Sequence, residues 1–259
     1  SVQHNLRAEF FLKEKESKPN LEHTKMSTFH FKQFSVQNEK SAMKVNTDSV
    51  LLGAWAPIHS NAKTGLDIGS GTGILSLMLA QREPNLHITG IEIELNAFEE
   101  SKANFENSEW KQRLIAVNLP LQEFVLEGKL DCIISNPPYF IDDLKNQEAT
   151  KSQARHTDTL SFEELIQFVE TNLSEIGTYS LILPKTESEI FRNLALKSKL
   201  HLQQIAFIQP NTNKSVNRVM MCYGKEKKET SEETFCVYQS YQIYSERHHE
   251  LTKEFYLDK

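Results

Sequence analysis

From residue 64 onward, compact apolar runs alternate with stretches whose apolar positions recur every three or four residues. The runs at 65–68, 88–92, 114–117, 132–135, 178–183, 202–208 and 218–223 read as strands. The periodic stretches at 74–81, 96–107, 162–173 and 188–198 read as amphipathic helices. Ser161 with Glu164, and Thr186 with Glu189, have the spacing of capping boxes that open the last two helices. Strands alternating with helices predict a mostly parallel sheet covered on both faces. A further strand near 235–238 and a terminal helix from 245 read as additions to that sheet. The segment 225–233 is charged throughout and reads as an exposed hairpin or loop. No internal repeat is present.

Composition bounds this picture. The chain has 259 residues, 39% apolar and 25% charged, which is enough for one full α/β domain plus an appendage. No apolar run approaches the roughly 20 residues that span a bilayer. No secretory segment opens the chain, so the expected location is cytoplasmic. The first 28 residues read as a leader or flexible arm, either an expression-derived stretch ahead of Met26 or a native basic arm. Cys132, Cys222 and Cys236 are widely spaced and read as reduced packing residues. The nine histidines have no C-x-x-C or H-x-E context, which excludes a zinc deaminase. His248 and His249 read as a solvated helix face, and no metal site is expected.

Two motifs carry chemistry. Residues 64–73 combine a strand with a turn in which Gly69, Gly71 and Gly73 alternate with Ser70 and Thr72, and a helix follows. Alternating glycines permit tight backbone geometry and let a ligand approach main-chain N–H groups. The spacing is not G-x-G-x-x-G, since the last glycine would fall on Ile74 or Ser76. Asp67 before the turn would repel a pyrophosphate and attract a cation. Glu92 ends the next strand, about where a ribose-binding carboxylate is expected. A cationic nucleoside without phosphates fits both acids, and S-adenosyl-L-methionine is such a ligand.

The second motif is Asn136, Pro137, Pro138 and Tyr139 after the apolar run 130–134. Two prolines remove two donors and fix two φ angles, and they hold Asn136 extended. The product is a stiff lip at the C-terminal edge of a sheet, where α/β folds bind ligands. It presents an amide, two carbonyls and an aromatic face, a set suited to a planar group bearing an NH2. A proline-rich turn that merely ends a strand is the plain alternative.

Residues 31–34 (Phe-Lys-Gln-Phe), 42–55 (Ala-Met-Lys-Val-Asn-Thr-Asp-Ser-Val-Leu-Leu-Gly-Ala-Trp), the glycine turn and 133–139 together resemble a known family. The chain is similar to the class I S-adenosylmethionine-dependent methyltransferases of the Asn-Pro-Pro-Tyr group. Within it the chain resembles the bacterial tRNA1(Val) adenine-37 N6-methyltransferases. The similarity spans roughly 29–257 and includes 244–246 and 255–256 near the end. It implies a Rossmann-like sheet of seven strands, mostly parallel with an antiparallel last strand, and helices on both faces. It implies one domain over 29–259, with an N-terminal segment at 44–48 that closes over the cofactor, and C-terminal additions. The implied reaction moves a methyl group from S-adenosyl-L-methionine to N6 of an adenine, at position 37 of the tRNA1(Val) anticodon loop.

The resemblance also implies residue roles. The Asn136 side-chain oxygen and the Pro137 carbonyl would hold the amine, and Tyr139 would stack on the extruded base. Gly69, Gly71 and Gly73 would pass under the cofactor, Asp67 would face its amino group, and Glu92 would accept from its ribose. Asn118 stands where the superfamily commonly has an Asp reading the adenine amine. Rival readings are a protein glutamine N5-methyltransferase, which uses the same grip on an amide, and a non-catalytic RNA-binding module on the same fold.

The net charge of −6 weighs against a nucleic-acid substrate, but its distribution does not. Residues 83–131 hold ten acids and four Lys or Arg, whereas 185–224 hold six Lys or Arg and two acids. One acidic and one basic side can orient an RNA. Lys197, Lys199, Lys214 and Arg218 are the candidate RNA contacts, with solvated surface charge as the plain alternative. Arg155 and His156 are read either as phosphate contacts or as charges leading a helix. The expected partner is tRNA, with no membrane and no metal, and the expected state is a monomer.

Overall fold

The structure, a computed structural model, describes residues 28–41, 44–137 and 160–257. The arm before residue 28, Pro138, Tyr139, Arg155 and His156 lie outside these. Strands β3 (Thr64–Ile68), β4 (His87–Glu92), β5 (Leu114–Asn118), β6 (Leu130–Ser135) and β7 (Leu173–Pro184) run parallel. β9 (Arg218–Gly224) inserts antiparallel between β7 and β8 (His201–Asn211). These are the seven expected strands, each longer than or equal to its apolar run. β10 (Ser231–Ser240) and the short β11 (Ile243–Tyr244) extend one edge, so the sheet has nine strands in the order β11-β10-β8-β9-β7-β6-β3-β4-β5.

The period-2 geometry of strands sorts their side chains onto two faces. Ile134, Ile182 and Met220 pack with helices α1 (Thr47–Trp55) and α2 (Ile74–Arg82). Ile133, Leu181 and Met221 pack with α4 (Phe162–Asn172) and α5 (Lys185–Ala195) on the other face. α3 (Leu95–Glu106) lies against β4 and β5. The α1 and α2 face is closed by α6 (Glu246–Thr252) and by a hairpin of β1 (Thr28–His30) and β2 (Ser35–Gln37). Lys32 N–H donates to the Phe255 carbonyl at 2.8 Å, and the Phe31 ring stacks with Tyr256 at 6.0 Å. The two ends of the described chain therefore form one layer.

Four local expectations change. Helix α1 is absent from the periodic pattern because it has almost no polar stripe: Ser49, Val50, Leu51, Leu52, Gly53 and Trp55 are all buried. Arg82 ties its far end to α2 by donating to the Gly53 and Ala56 carbonyls at 2.7 and 2.9 Å. The Ser161–Glu164 capping box is present with both bonds, but Thr186 and Glu189 form none, since α5 already starts at Lys185 after Pro184. Residues 231–233 are strand, not loop, because they pair with Gln204, Ile205 and Ala206 of β8. An edge strand tolerates such charge, and Glu233 is engaged by Trp55 and Arg247. His248 is fully buried and stacked on Tyr244 at 4.1 Å, not solvated, and burial lowers its pKa to about 4.

Candidate active site

At the C-terminal edge of the sheet, the ends of β3, β4, β5 and β6 and the start of α1 enclose a cavity of about 480 Å³. That is the size of a small-molecule site. Its floor is the glycine turn. Gly69 and Gly71 have φ of 71° and 54°, in the left-handed region that disfavours other residues. A Cβ at Gly69 would meet nothing within 4 Å, and one at Gly71 would meet only Ser41 Oγ. These two positions thus face open space. Gly73 has another reason to be glycine: a Cβ there would lie 2.5 Å from the Phe105 ring of α3. It serves packing and the entry to α2, and it does not line the cavity.

Glu92 stands at the rim. Its Oε2 accepts from Gly71 N–H at 2.9 Å and its Oε1 from Glu94 N–H at 2.9 Å, so the carboxylate ties the turn to the β4 end. An ionised carboxylate has about four acceptor sites, which leaves capacity facing the cavity. Asp67 does not line the cavity. It is fully buried beneath the turn, where Oδ2 accepts from Ser76 N–H and Oγ–H at 3.2 and 2.8 Å. Oδ1 has no hydrogen-bond partner among the described residues. Burial raises its pKa to about 7, against the two Ser76 bonds and with a smaller push from Glu92.

Asn118 also turns away from the cavity. Its amide N–H groups donate to the Glu92 and Ile93 carbonyls at 2.7 and 3.1 Å. The wall at that end is apolar instead, formed by Ile93, Leu119, Pro120 and Leu121.

Asn136 and Pro137 follow β6 and line the same cavity. The Asn136 Nδ2–H donates to Ser49 Oγ at 2.9 Å, and both residues are buried. Ser49 was not legible in advance, because helix α1 was not. The one local signal was Asn46, whose side chain accepts from Ser49 N–H as an N-cap. The strap at 39–41 closes another side. Glu100 of α3 holds it by accepting from Lys40 and Ser41 N–H at 2.8 and 2.9 Å. Lys44, within the expected closing segment, lines the cavity with Ser41 and Ser49.

The donor set fits S-adenosyl-L-methionine. The glycine cradle is open where a Cβ would project, the rim acid suits ribose hydroxyls, and the apolar wall suits a base. Lys44 is the single basic residue of the described lining, against Glu92 and Glu94, so a polyphosphate is not favoured.

The four candidate RNA-binding cations do not form one surface. Lys214 follows β8, and Arg218 opens β9, on the same edge as Asn136. Lys197 and Lys199 follow α5 at the opposite edge, because β8 carries the chain across the sheet between them. Eleven strand residues span roughly 33 Å. Lys199 also lies 4.0 Å from Glu170. Arg218 Nε donates to Asp48 Oδ2 at 2.6 Å.

Among the described residues no helix is long and apolar enough to cross a membrane, and no group of three His, Cys, Asp or Glu is placed to hold a metal.

The sequence profile of the methyltransferase small domain matches residues 28–160. A tRNA1(Val) (adenine(37)-N6)-methyltransferase of Flavobacterium psychrophilum is 40% identical over 231 residues, which covers 88% of this chain and 99% of that protein. One of Pseudoalteromonas translucida is 42% identical over 233 residues, covering 90% and 99%. Among solved structures, a predicted O-methyltransferase from Agrobacterium tumefaciens superposes with a TM-score of 0.60 at 15% identity, over 80% of this chain and 96% of that one. A methyltransferase from Pyrococcus furiosus gives 0.53 at 21% identity, over 74% and 90%. At these identities the two structures bear on the fold alone.

Proposed function

We infer that this chain, which belongs to the family of the tRNA1(Val) (adenine(37)-N6)-methyltransferases, transfers a methyl group from S-adenosyl-L-methionine to the exocyclic N6 of adenine 37 in tRNA1(Val). The observation that supports it best is that Asn136 lines the same cavity as the glycine cradle and Glu92. An amine-gripping amide and a nucleoside site thus share one space.

Gly69 and Gly71 would hold the cofactor through their backbone, Glu92 would accept from its ribose, and Ile93, Leu119 and Pro120 would flank its base. Asp67 is assigned to supporting the turn from beneath, through Ser76. Asn118 is assigned to orienting the β4 end, on which Glu92 sits. The bound cofactor supplies an electrophilic methyl on a sulfonium and departs as a neutral thioether.

An aromatic amine is a weak nucleophile because its lone pair is delocalised into the ring. Asn136 and the Pro137 carbonyl would accept hydrogen bonds from the N6 hydrogens, favour a tetrahedral nitrogen and aim its lone pair at the methyl. The proton can leave to water after the methyl has moved, so no strong base is required. Much of the acceleration would then come from positioning. Tyr139 is assigned to stacking on the base, a contact worth about 1–3 kcal/mol. Of the candidate cations, Lys214 is assigned to RNA phosphate because it stands on the catalytic edge. The same reading puts the enzyme with its tRNA in the cytoplasm, acting as a monomer without a metal ion.

Nucleoside mass spectrometry tests the reading. Purified protein with cofactor should convert adenine 37 of a tRNA1(Val) transcript to its N6-methyl form and leave a transcript with guanine at 37 untouched. Methylation of a protein glutamine instead, or of neither, would refute it.

A further inference from the structure

We propose that Asp48 and Arg218 are a positioning pair that sets the Asn136 amide, and that Arg218 is not a contact for RNA phosphate. The inference rests on the methyltransferase reading above. Arg218 opens β9 on the catalytic edge, in register with Pro184 at the end of β7. Its Nε donates to Asp48 Oδ2 at 2.6 Å, and the two side chains are only 28% and 20% exposed. The next residue, Ser49, accepts from Asn136 Nδ2 at 2.9 Å. Since β7 lies between β9 and β6 in the sheet, two successive residues in the first turn of α1 reach across its end, one to each flanking strand. The helix start is thereby registered against the sheet at two points. One of them is the amide that grips the amine. Committing Nδ2 to Ser49 also orients that amide, because its oxygen must then face the other way.

Two simpler accounts fall short. A first-turn Asp is favoured by the helix dipole wherever it occurs. That explains the carboxylate but not its pairing with an arginine 170 residues further on. A phosphate contact requires available positive charge, and this pair is locally neutral: an approaching phosphate meets the Asp48 carboxylate together with the guanidinium. Removing one member of a half-buried pair takes away the ion-pair contact that fixes the other in place. The α1 turn would then shift, and Ser49 with it.

The test compares wild type, Arg218→Ala, Arg218→Lys, Asp48→Asn and the double Asp48→Ala/Arg218→Ala variant. Each is measured for single-turnover methyl transfer to the tRNA1(Val) transcript, tRNA affinity across salt, and cofactor affinity. Arg218→Ala and Asp48→Asn should slow transfer at least tenfold, with cofactor affinity within twofold and an unchanged salt slope. Arg218→Lys should recover most of the rate, and the double variant should be no slower than the slower single, as for two residues acting as one unit. A salt slope lowered by about 0.7–0.9 in Arg218→Ala would make it a phosphate contact and overturn the proposal. Unchanged rates, or losses that add in the double variant, would also overturn it. Should Arg218→Ala fail to fold, Asp48→Asn carries the same test, since it keeps the side-chain shape and removes only the charge. Inactive wild type would refute the proposed methyl-transfer reaction, and the salt slope would still decide whether Arg218 meets phosphate.

Discussion

Replacing Glu92 by Ala is expected to weaken cofactor binding by about 10–150-fold. The carboxylate does two jobs at the cavity rim. It holds Gly71 N–H and Glu94 N–H at 2.9 Å each, and it keeps acceptor capacity for ligand hydroxyls. A hydrogen bond to a charged group contributes about 1.5–3 kcal/mol, which converts to the stated range at 1.4 kcal/mol per tenfold. Glu92→Gln should lose nearly as much. One of its two ends becomes a donor, and it would face either a backbone N–H or a ribose hydroxyl already donating to the acid. Calorimetric titration with the demethylated product, which cannot turn over, measures the affinity of all three proteins. Thermal unfolding without ligand provides the control, because it reads the loss of the Gly71 and Glu94 N–H contacts separately from the loss of ligand contacts. Affinity within twofold of wild type in the Ala variant would reduce Glu92 to a clamp on the turn and remove it from the ligand site.

Three further outcomes are expected. Asn136→Ala should slow single-turnover transfer by about 10²–10³-fold, as for a group that acts on the developing charge, while calorimetry finds cofactor affinity unchanged; equal losses in both would misplace the residue. Asp67, with a pKa near 7 in the fold against 3.8 for the free acid, binds a proton that the unfolded chain has already released between those values. Stability should therefore fall as pH rises from about 4 to 7, by on the order of 4 kcal/mol, and level off above; denaturant titrations should show this slope vanish in Asp67→Asn, and a parallel profile would contradict it. Lys214→Ala should lower the slope of log tRNA affinity against log salt by about 0.7–0.9, whereas Lys197→Ala with Lys199→Ala should leave it, as read by anisotropy across salt; the reverse ranking would put the RNA on the far edge.

The parts of this protein that the linear chain determines are those whose physics is local. A short apolar run of about four to seven residues that alternates with amphipathic helical stretches reads as a buried strand, and all seven expected strands are present. Left-handed φ at Gly69 and Gly71 is a property of single residues, and so is the stiffness of consecutive prolines. The Ser161–Glu164 box closes within one turn of helix and was readable for that reason. The glycine cradle, Glu92 and Asn136 were legible as a set because each ends a parallel strand, and parallel strands bring their C-terminal ends to one edge.

What only the tertiary structure decided depends on which way a side chain turns and what lies across the sheet. α1 carries no amphipathic signal because it is buried nearly all round, so the helix bearing Asp48 and Ser49 became visible only in the packed fold. Asp67 and Asn118 have the positions expected of ligand contacts, yet one points under the turn to Ser76 and the other onto the Glu92 carbonyl. Local sequence specifies where a residue stands on a strand end, but the neighbouring strand and helix supply the donors and acceptors that aim it. Lys197 and Lys214 are seventeen residues apart and share a basic stretch, but β8 runs the full depth of the sheet between them. Charge balance counted along a chain cannot register that reversal, because a strand separates in space what the sequence keeps together.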